Sequence, residues 1–436
     1  MRALFLLASA STTLAGFAAF VGCATSDEVI AEETPTPEEA GVLPPTPTAE
    51  AADAAADATD AVVVTCSLAG WCPTSLPDTD LSIKDIWPVS EDRAFAIAES
   101  ATVGVKVLEW RAQDAAWKYI DDNTQNQLDG AFAGAIWAPN LDTVYYAVGS
   151  YIYRGTRLAP PGTGWSWSRQ KLEDNSHVGD PTHAAHDHGR PGGKSYPAVG
   201  VWGVDANNVY AWYSNTVFHW KSEGGAASSW VEEYVLDDPD QASEHLFFVS
   251  AAGSGPDDVS FAGVRKQAWT LSTSTRDCAI LVRKTSGGFA RVADGTLTAG
   301  DCAERAGLPR VGGAQGWLTD IQSTAPGAIT GLKAGMEIVQ LSAEGVTVSD
   351  EPVASFPSLG IYTFSSFWRS PSHGWLTAAP GIVIRGDATG DGGSYAISSL
   401  ALDGNPIRVD MNRVRGTSDT NLWAIGNGYA FHKTTP

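Results

Sequence analysis

Half of the chain's eight histidines fall in one short stretch, SHVGDPTHAAHDHGRPGGK, which holds His177, His183, His186 and His188 together with Asp180, Asp187 and Arg190. Imidazoles and carboxylates at this spacing could hold Zn, Cu or Ni, with His245, Asp237, Asp238 and Asp240 as additional ligands from a later stretch. Gly and Pro surround the histidines, so no helix or strand would fix their geometry, and a solvated loop is the competing reading. A second candidate is GDATGDGGSY: Asp387, Thr389, Asp391 and Gly392 space their donors as a calcium loop begins. The twelfth position is Ser398, which lacks the carboxylate that closes such a loop, so a polar hairpin turn competes. Thus the sequence requires no cofactor, and Ca or a transition metal is what these donors could take. There is no nucleophile elbow, no phosphate-cradling glycine loop after a strand and no HExxH helix. Carboxylates that could act as an acid and base pair are plentiful, but a sequence does not show which of them lie a few ångströms apart. Catalytic residues are therefore not assigned, and the sequence leans away from an enzyme.

The elements that must position these residues belong to a chain of 436 residues, 43% hydrophobic and 10% aromatic. That apolar content excludes wholesale disorder and collagen-like order. There are 28 Lys plus Arg against 50 Asp plus Glu, a formal net charge of -22, which argues against nucleic acid as a partner because phosphate recognition needs clustered cations.

Residues 1–22 read as an export signal: a basic start at Arg2, an uncharged apolar run from Leu4 to Phe20, and a small-residue exit. Phe20, Val21, Gly22 and Cys23 resemble a bacterial lipoprotein box, which implies that Cys23 is the lipidated first residue of the mature chain. Ordinary cleavage with secretion, or a retained anchor, are the alternatives. Ala24 carries no acidic retention mark, which favours the outer membrane, on its periplasmic or cell-surface side. Residues 23–62 then form an acidic tether. From 24 to 62 there are ten Asp and Glu, five Pro and no Lys or Arg, too little apolar surface to offset chain entropy. With Cys23 assigned to lipid, Cys66, Cys72, Cys278 and Cys302 remain. An even number in an oxidising compartment reads as two disulfides, the local pairing being Cys66 with Cys72 and Cys278 with Cys302.

Residues 63–436 carry a nonapeptide that recurs seven times: WPVSEDRAF, WAPNLDTVY, WGVDANNVY, AGSGPDDVS, IQSTAPGAI, FWRSPSHGW and RGTSDTNLW, ending at 95, 145, 210, 260, 329, 375 and 423. Bulky or apolar residues eight apart enclose Asn, Asp, Ser, Pro and Gly, the residues of tight reversals, so each copy reads as strand, turn, strand. A third apolar run follows each copy, and after most of them comes a fourth. Four short strands per unit at this period predict a blade. The stretch around Trp71 reads as a detached fourth strand for the last unit, which would close the ring and remove its open edges. VWGVDANNVYAWYSNTVFHW and VRGTSDTNLWAIGNGYAFHK resemble the degenerate propeller repeats of exported bacterial proteins. The expected fold is thus all-β, a seven-bladed β-propeller of four-stranded blades closed by an N-terminal strand, with a pair of β-sandwiches as the alternative.

In such a ring the first-to-second and third-to-fourth connections share one face, and here they are short. The long segments, 168–198, 231–247, 263–278 and 290–316, fall on the other face, which is the expected recognition surface. Asp180, Asp187, Arg190, Asp237, Asp238 and His245 are its candidate binding residues. The expected function is a monomeric, lipid-anchored module binding an envelope or extracellular protein or glycan, touching the membrane only through its lipid. A carbohydrate-active enzyme using channel-mouth acids, or a structural envelope component, are the alternatives.

Overall fold

The computed structural model describes residues 65–435 apart from 129–131, 176–198, 223–226, 242–243, 267–276, 299–300, 354–359, 379 and 388–394. The chain divides into two compact units at Ala61, and every described residue belongs to the second. That unit is a seven-bladed propeller of four-stranded antiparallel sheets. The innermost strands of blades 1 to 7 are Ser82–Ser90, Ala133–Asn140, Val199–Asp205, His245–Gly255, Leu318–Ala325, Ser366–Arg369 and Met411–Ser418. Blade 7 takes its outermost strand, Trp71–Pro73, from the other end of the unit, where Trp71 pairs with Lys433 and Pro73 with Phe431. No blade is left with a free closing edge, the device expected from the sequence. Trp71 is fully buried and its Nε1 donates to Ser398 Oγ at 2.8 Å, so the closing strand also fastens blade 6.

Why the nonapeptide folds as it does is visible at its turn. In five copies its first and last residues face each other across the hairpin: Trp87 with Phe95, Trp137 with Tyr145, Trp202 with Tyr210, Ala252 with Ser260 and Arg415 with Trp423. Between those pairs and a two-residue turn lies a register shift in every blade but the sixth. The extra residue twists the first strand away from its partner, as a bulge does. The residue entering the turn is a side-chain acceptor: Ser90, Asn140, Asp205 and Ser418 each take a bond from the backbone N–H two residues on, at 3.3, 2.8, 2.8 and 3.3 Å. That local bond is why Ser, Asn and Asp recur there.

Two copies depart from the expected frame. In blade 5 Gln322 pairs with Thr330, so the repeat runs one residue later than its apolar ends suggest. Blade 6 lacks the bulge, pairing Trp368 with Trp375 around the longer Ser-Pro-Ser turn.

Between blades the packing is aromatic. The ring of Trp137 in blade 2 lies where a Cβ on Gly203 of blade 3 would meet it at 2.7 Å, and that of Trp202 in blade 3 lies 3.1 Å from such a Cβ on Gly253 of blade 4. A large side chain at the first repeat position thus requires a small one at the second position of the next blade. Both expected disulfides are present, Cys66–Cys72 and Cys278–Cys302. The second ties the start of blade 4's third strand to a hairpin, Gly295–Thr298 and Asp301–Glu304, inserted before blade 5.

Candidate functional site

The seven innermost strands enclose a cavity of about 240 Å³. Its lining begins at the level of Asp85, Ser250, Asp320 and Arg413, and extends past Trp87, Trp202, Ala252, Gln322, Trp368 and Arg415 toward the first-hairpin turns. No residue nearer the long-segment end of those strands contributes. The cavity therefore occupies the half of the channel toward the short hairpins, away from the elaborated face.

Its shape follows from the repeat. Blades 1, 3 and 6 bring Trp87, Trp202 and Trp368, whereas blade 4 brings Ser250, Ala251, Ala252 and Gly253, leaving the space that an indole would fill. Blade 3 has Gly200 two residues before Trp202, and Trp212, its cross-strand partner, lies over that glycine close enough that a Cβ would meet the indole at 2.1 Å. The missing side chain lets an indole from a second strand join the channel wall.

Four charges converge at the floor of this cavity. Asp320, only 2% exposed, takes a two-pronged bond from Arg415, 2.9 Å to each carboxylate oxygen. Arg415 Nη1 also donates to the Phe367 carbonyl at 3.0 Å, and Asp320 accepts the Phe367 amide at 3.1 Å, so one ion pair ties blades 5, 6 and 7 together. Arg413 stands 3.4 Å from Asp320 and 3.5 Å from Asp85. Asp85 in turn accepts the Ile136 amide of blade 2 at 3.0 Å. Desolvation pushes the Asp320 carboxyl up, but the charges of Arg415 and Arg413 and the bonds from Arg415 and the Phe367 amide outweigh it and hold it below the ordinary carboxylate range. Burial lowers the Arg415 guanidinium less than Asp320 raises it.

A second ionic cluster lies on the long-segment side of blade 4. Asp294, fully buried, accepts from Arg265 at 2.9 Å and from Arg291 at 2.9 Å, while Arg305 binds Asp240 at 2.8 Å and Asp238 at 3.0 Å. Arg291 holds Asp238 with two bonds of 2.7 Å, and Arg265 reaches Glu244 at 3.0 Å. Desolvation pushes the Glu244 carboxyl above its usual range against the pull of Arg265. For Asp238 desolvation loses to Arg291, Arg265 and Arg305, and its carboxyl is held low.

Of the residues singled out from sequence, Asp238 is thus bound into an ionic network that fastens the inserted hairpin. Asp237 is exposed beside it. His245 is 8% exposed, pairs across the sheet with Lys266, and stacks at 6.2 Å on Phe247. Asp387 ends the third strand of blade 6 opposite His373. Cys23, His177, Asp180, His183, His186, Asp187, His188, Arg190 and Asp391 lie outside the described residues. Among the described residues no three His, Cys, Asp or Glu gather as a metal site would require. Of the tryptophans that begin repeats, Trp137 is buried core, while Trp87 and Trp202 line the cavity; Trp423, which ends one, is core.

The channel charges escaped the sequence reading, yet a trace of them exists. Asp85, Asp320 and Arg413 stand two residues before Trp87, Gln322 and Arg415, where blades 2, 3 and 4 carry Ala135, Gly200 and Ser250. A charge at a repeat position otherwise small is the signal.

Compared with known proteins, the sequence matches no family model and none of the curated proteins. Its fold is that of solved propellers. A catalytically inactive virginiamycin B lyase from Staphylococcus aureus, determined with quinupristin, is 11% identical and superposes with a TM-score of 0.52 over 84% of this chain and 98% of that one. YCF48 bound to D1 peptide gives 13% identity and 0.51 over 84% and 97%, and YCF48 from Cyanidioschyzon merolae 12% and 0.50 over 84% and 99%. At such identity the likeness establishes the seven-bladed architecture and leaves the activity to be argued from the site.

Proposed function

We propose that this chain is an exported, lipid-anchored envelope protein whose propeller binds a protein or glycan without transforming it. One observation carries the reading: among the described residues the two carboxylates in the cavity wall, Asp85 and Asp320, each face an arginine. Cleavage of a glycosidic bond by paired carboxylates needs one of them protonated to release the leaving group. Asp320 is kept ionised and clamped by Arg415, and among the described residues no His, Lys, Cys or Tyr lines the cavity to carry a proton in its place. The chemistry left to such a wall is recognition: indole faces, guanidinium donors and carboxylate acceptors. Anchoring at Cys23 would set the propeller off the membrane on the acidic tether, free to meet a partner.

The test is crosslinking in intact cells with the full chain, a Cys23→Ser variant, and a variant lacking residues 172–194, followed by mass spectrometry and membrane fractionation. The reading expects a partner recovered unchanged by the full chain, and loss of membrane association in Cys23→Ser. Conversion of a captured glycan, or an absence of any partner together with turnover of a carbohydrate, would overturn it.

A further inference from the structure

We infer that the channel cavity is the ligand site and that it takes a single neutral sugar ring, either a free monosaccharide or the terminal residue of a glycan. This rests on the non-transforming reading above and gives it a place and a ligand class.

Size comes first. About 240 Å³ lies below the roughly 300 Å³ at which pockets for drug-sized ligands begin, so one small ring fits and a peptide segment does not. Charge comes next. Two carboxylates and two guanidiniums cancel within the wall, so no field draws an ion in. An anionic ligand seated on Arg415 would have to displace Asp320 from its two-pronged bond, leaving a buried carboxylate without its partner. The remaining wall is amphipathic in the way a pyranose is. Trp202 and Trp368 line it with indole, an apolar surface suited to the C–H face of a ring, and blade 4 contributes only the small Ser250 and Ala252. At the floor, Arg413 is held only loosely, at 3.4 and 3.5 Å, by Asp320 and Asp85. Its guanidinium retains donors, and Asp85 beside it retains acceptor lone pairs. A donor and an acceptor side by side are what two neighbouring hydroxyls require, because each hydroxyl both gives and takes a hydrogen bond.

The experiment titrates the full chain with glucose, galactose, mannose and N-acetylglucosamine, with an oligosaccharide of each, and with glucuronic acid. Tryptophan fluorescence and saturation-transfer NMR report binding. Two variants accompany the native chain. Arg413→Met removes the floor donor. Ala252→Trp places in blade 4 the residue that three other blades carry at that position, filling the cavity while keeping the propeller pattern. The expected result is saturable binding of at least one neutral sugar, weakened at least tenfold in both variants, with glucuronic acid binding no better than glucose. Binding of the monosaccharide identifies a free sugar as sufficient; binding of the oligosaccharide alone identifies a glycan end. Either supports the site. The inference is overturned if no neutral sugar binds saturably, if Ala252→Trp binds as the native chain does, or if the sugar acid is preferred. A partner still captured in cells by Ala252→Trp, with no sugar bound by the native chain, would leave the binding reading standing and this site wrong. A sugar bound here and converted would leave the site standing and the non-transforming reading wrong.

Discussion

Two ionic clusters built from the same residue types behave differently. In the channel two arginines meet two carboxylates contributed by blades 1, 5 and 7, and the charges balance. On blade 4 three arginines, Arg265, Arg291 and Arg305, meet four carboxylates, Asp238, Asp240, Glu244 and Asp294, and one negative charge is left over. In the balanced cluster Asp320 is held below the usual carboxylate range. In the unbalanced one Asp238 is held low but Glu244, 7% exposed, is pushed up. Desolvation raises all three, and it wins at Glu244, which has only Arg265 beside it, but loses at Asp238, met by three arginines, and at Asp320, met by two. The first cluster spans the ring and fixes the channel; the second fastens an inserted hairpin to a single blade.

The two clusters should part most at Asp320. Replacing it with Asn leaves Arg415 buried and uncompensated, which costs about 3–5 kcal/mol. Denaturant unfolding would measure this, and a loss under about 1 kcal/mol would mean the channel cluster does not hold blades 5 to 7 together.

Acid sharpens it. His432, stacked at 4.1 Å on Trp423 and bonded to Asn421, is pushed down to about 4 by desolvation. A depressed histidine binds its proton in the unfolded chain first, so stability present above pH 6.5 is lost as pH falls toward 4, by up to about 3 kcal/mol. Asp320 has the same sign in a lower window, its contribution being present above the unfolded carboxylate range and lost below it. Thermal melts across pH 7 to 4 should fall steeply, and His432→Gln should flatten the upper part of that fall.

A smaller effect tests the wall. Gly200→Ala puts a methyl against the Trp212 indole and should cost about 1–3 kcal/mol as overpacking does, with most of it recovered when Trp212→Leu is added. The smallest belongs to Glu244. Its raised carboxyl contributes stability below the unfolded range that disappears as pH rises through the folded value, the opposite sign to Asp320. Glu244→Gln keeps an acceptor for Arg265 and should therefore be neutral or stabilising, within about 1 kcal/mol, at pH 7. A melt in which it destabilises as much as Asp320→Asn would erase the distinction between the clusters.

The ring was legible in the sequence because most blades repeat one local solution: a tight turn, entered in blades 1, 2, 3 and 7 by a side-chain acceptor, with two strand residues facing each other eight positions apart. Trp87 with Phe95 and Arg415 with Trp423 are read this way without knowledge of the rest. Blade 5 slipped by one because Ile321 and Ile329 are the conspicuous apolar residues, whereas pairing follows the bulge and joins Gln322 to Thr330. The closing strand was legible for a different reason, since a unit lacking its fourth strand leaves an edge that the Trp71 segment could cover. The channel charges were not, because Asp320 and Arg415 lie 95 residues apart and meet only when the ring closes. Asp238 shows the same limit from the other side: an acid in a polar segment reads as available, yet Arg291 and Arg305, 53 and 67 residues away, bind it into the fold.

Recognition without turnover is tested by holding the full chain with envelope glycans and their fragments at pH 5 and pH 7 and measuring retained glycan and released product together. Saturable retention with no new reducing or unsaturated ends at either pH is the expected result. Product that accumulates with the native chain and disappears with Asp85→Asn would contradict it, because a channel carboxylate would then be taking part in turnover.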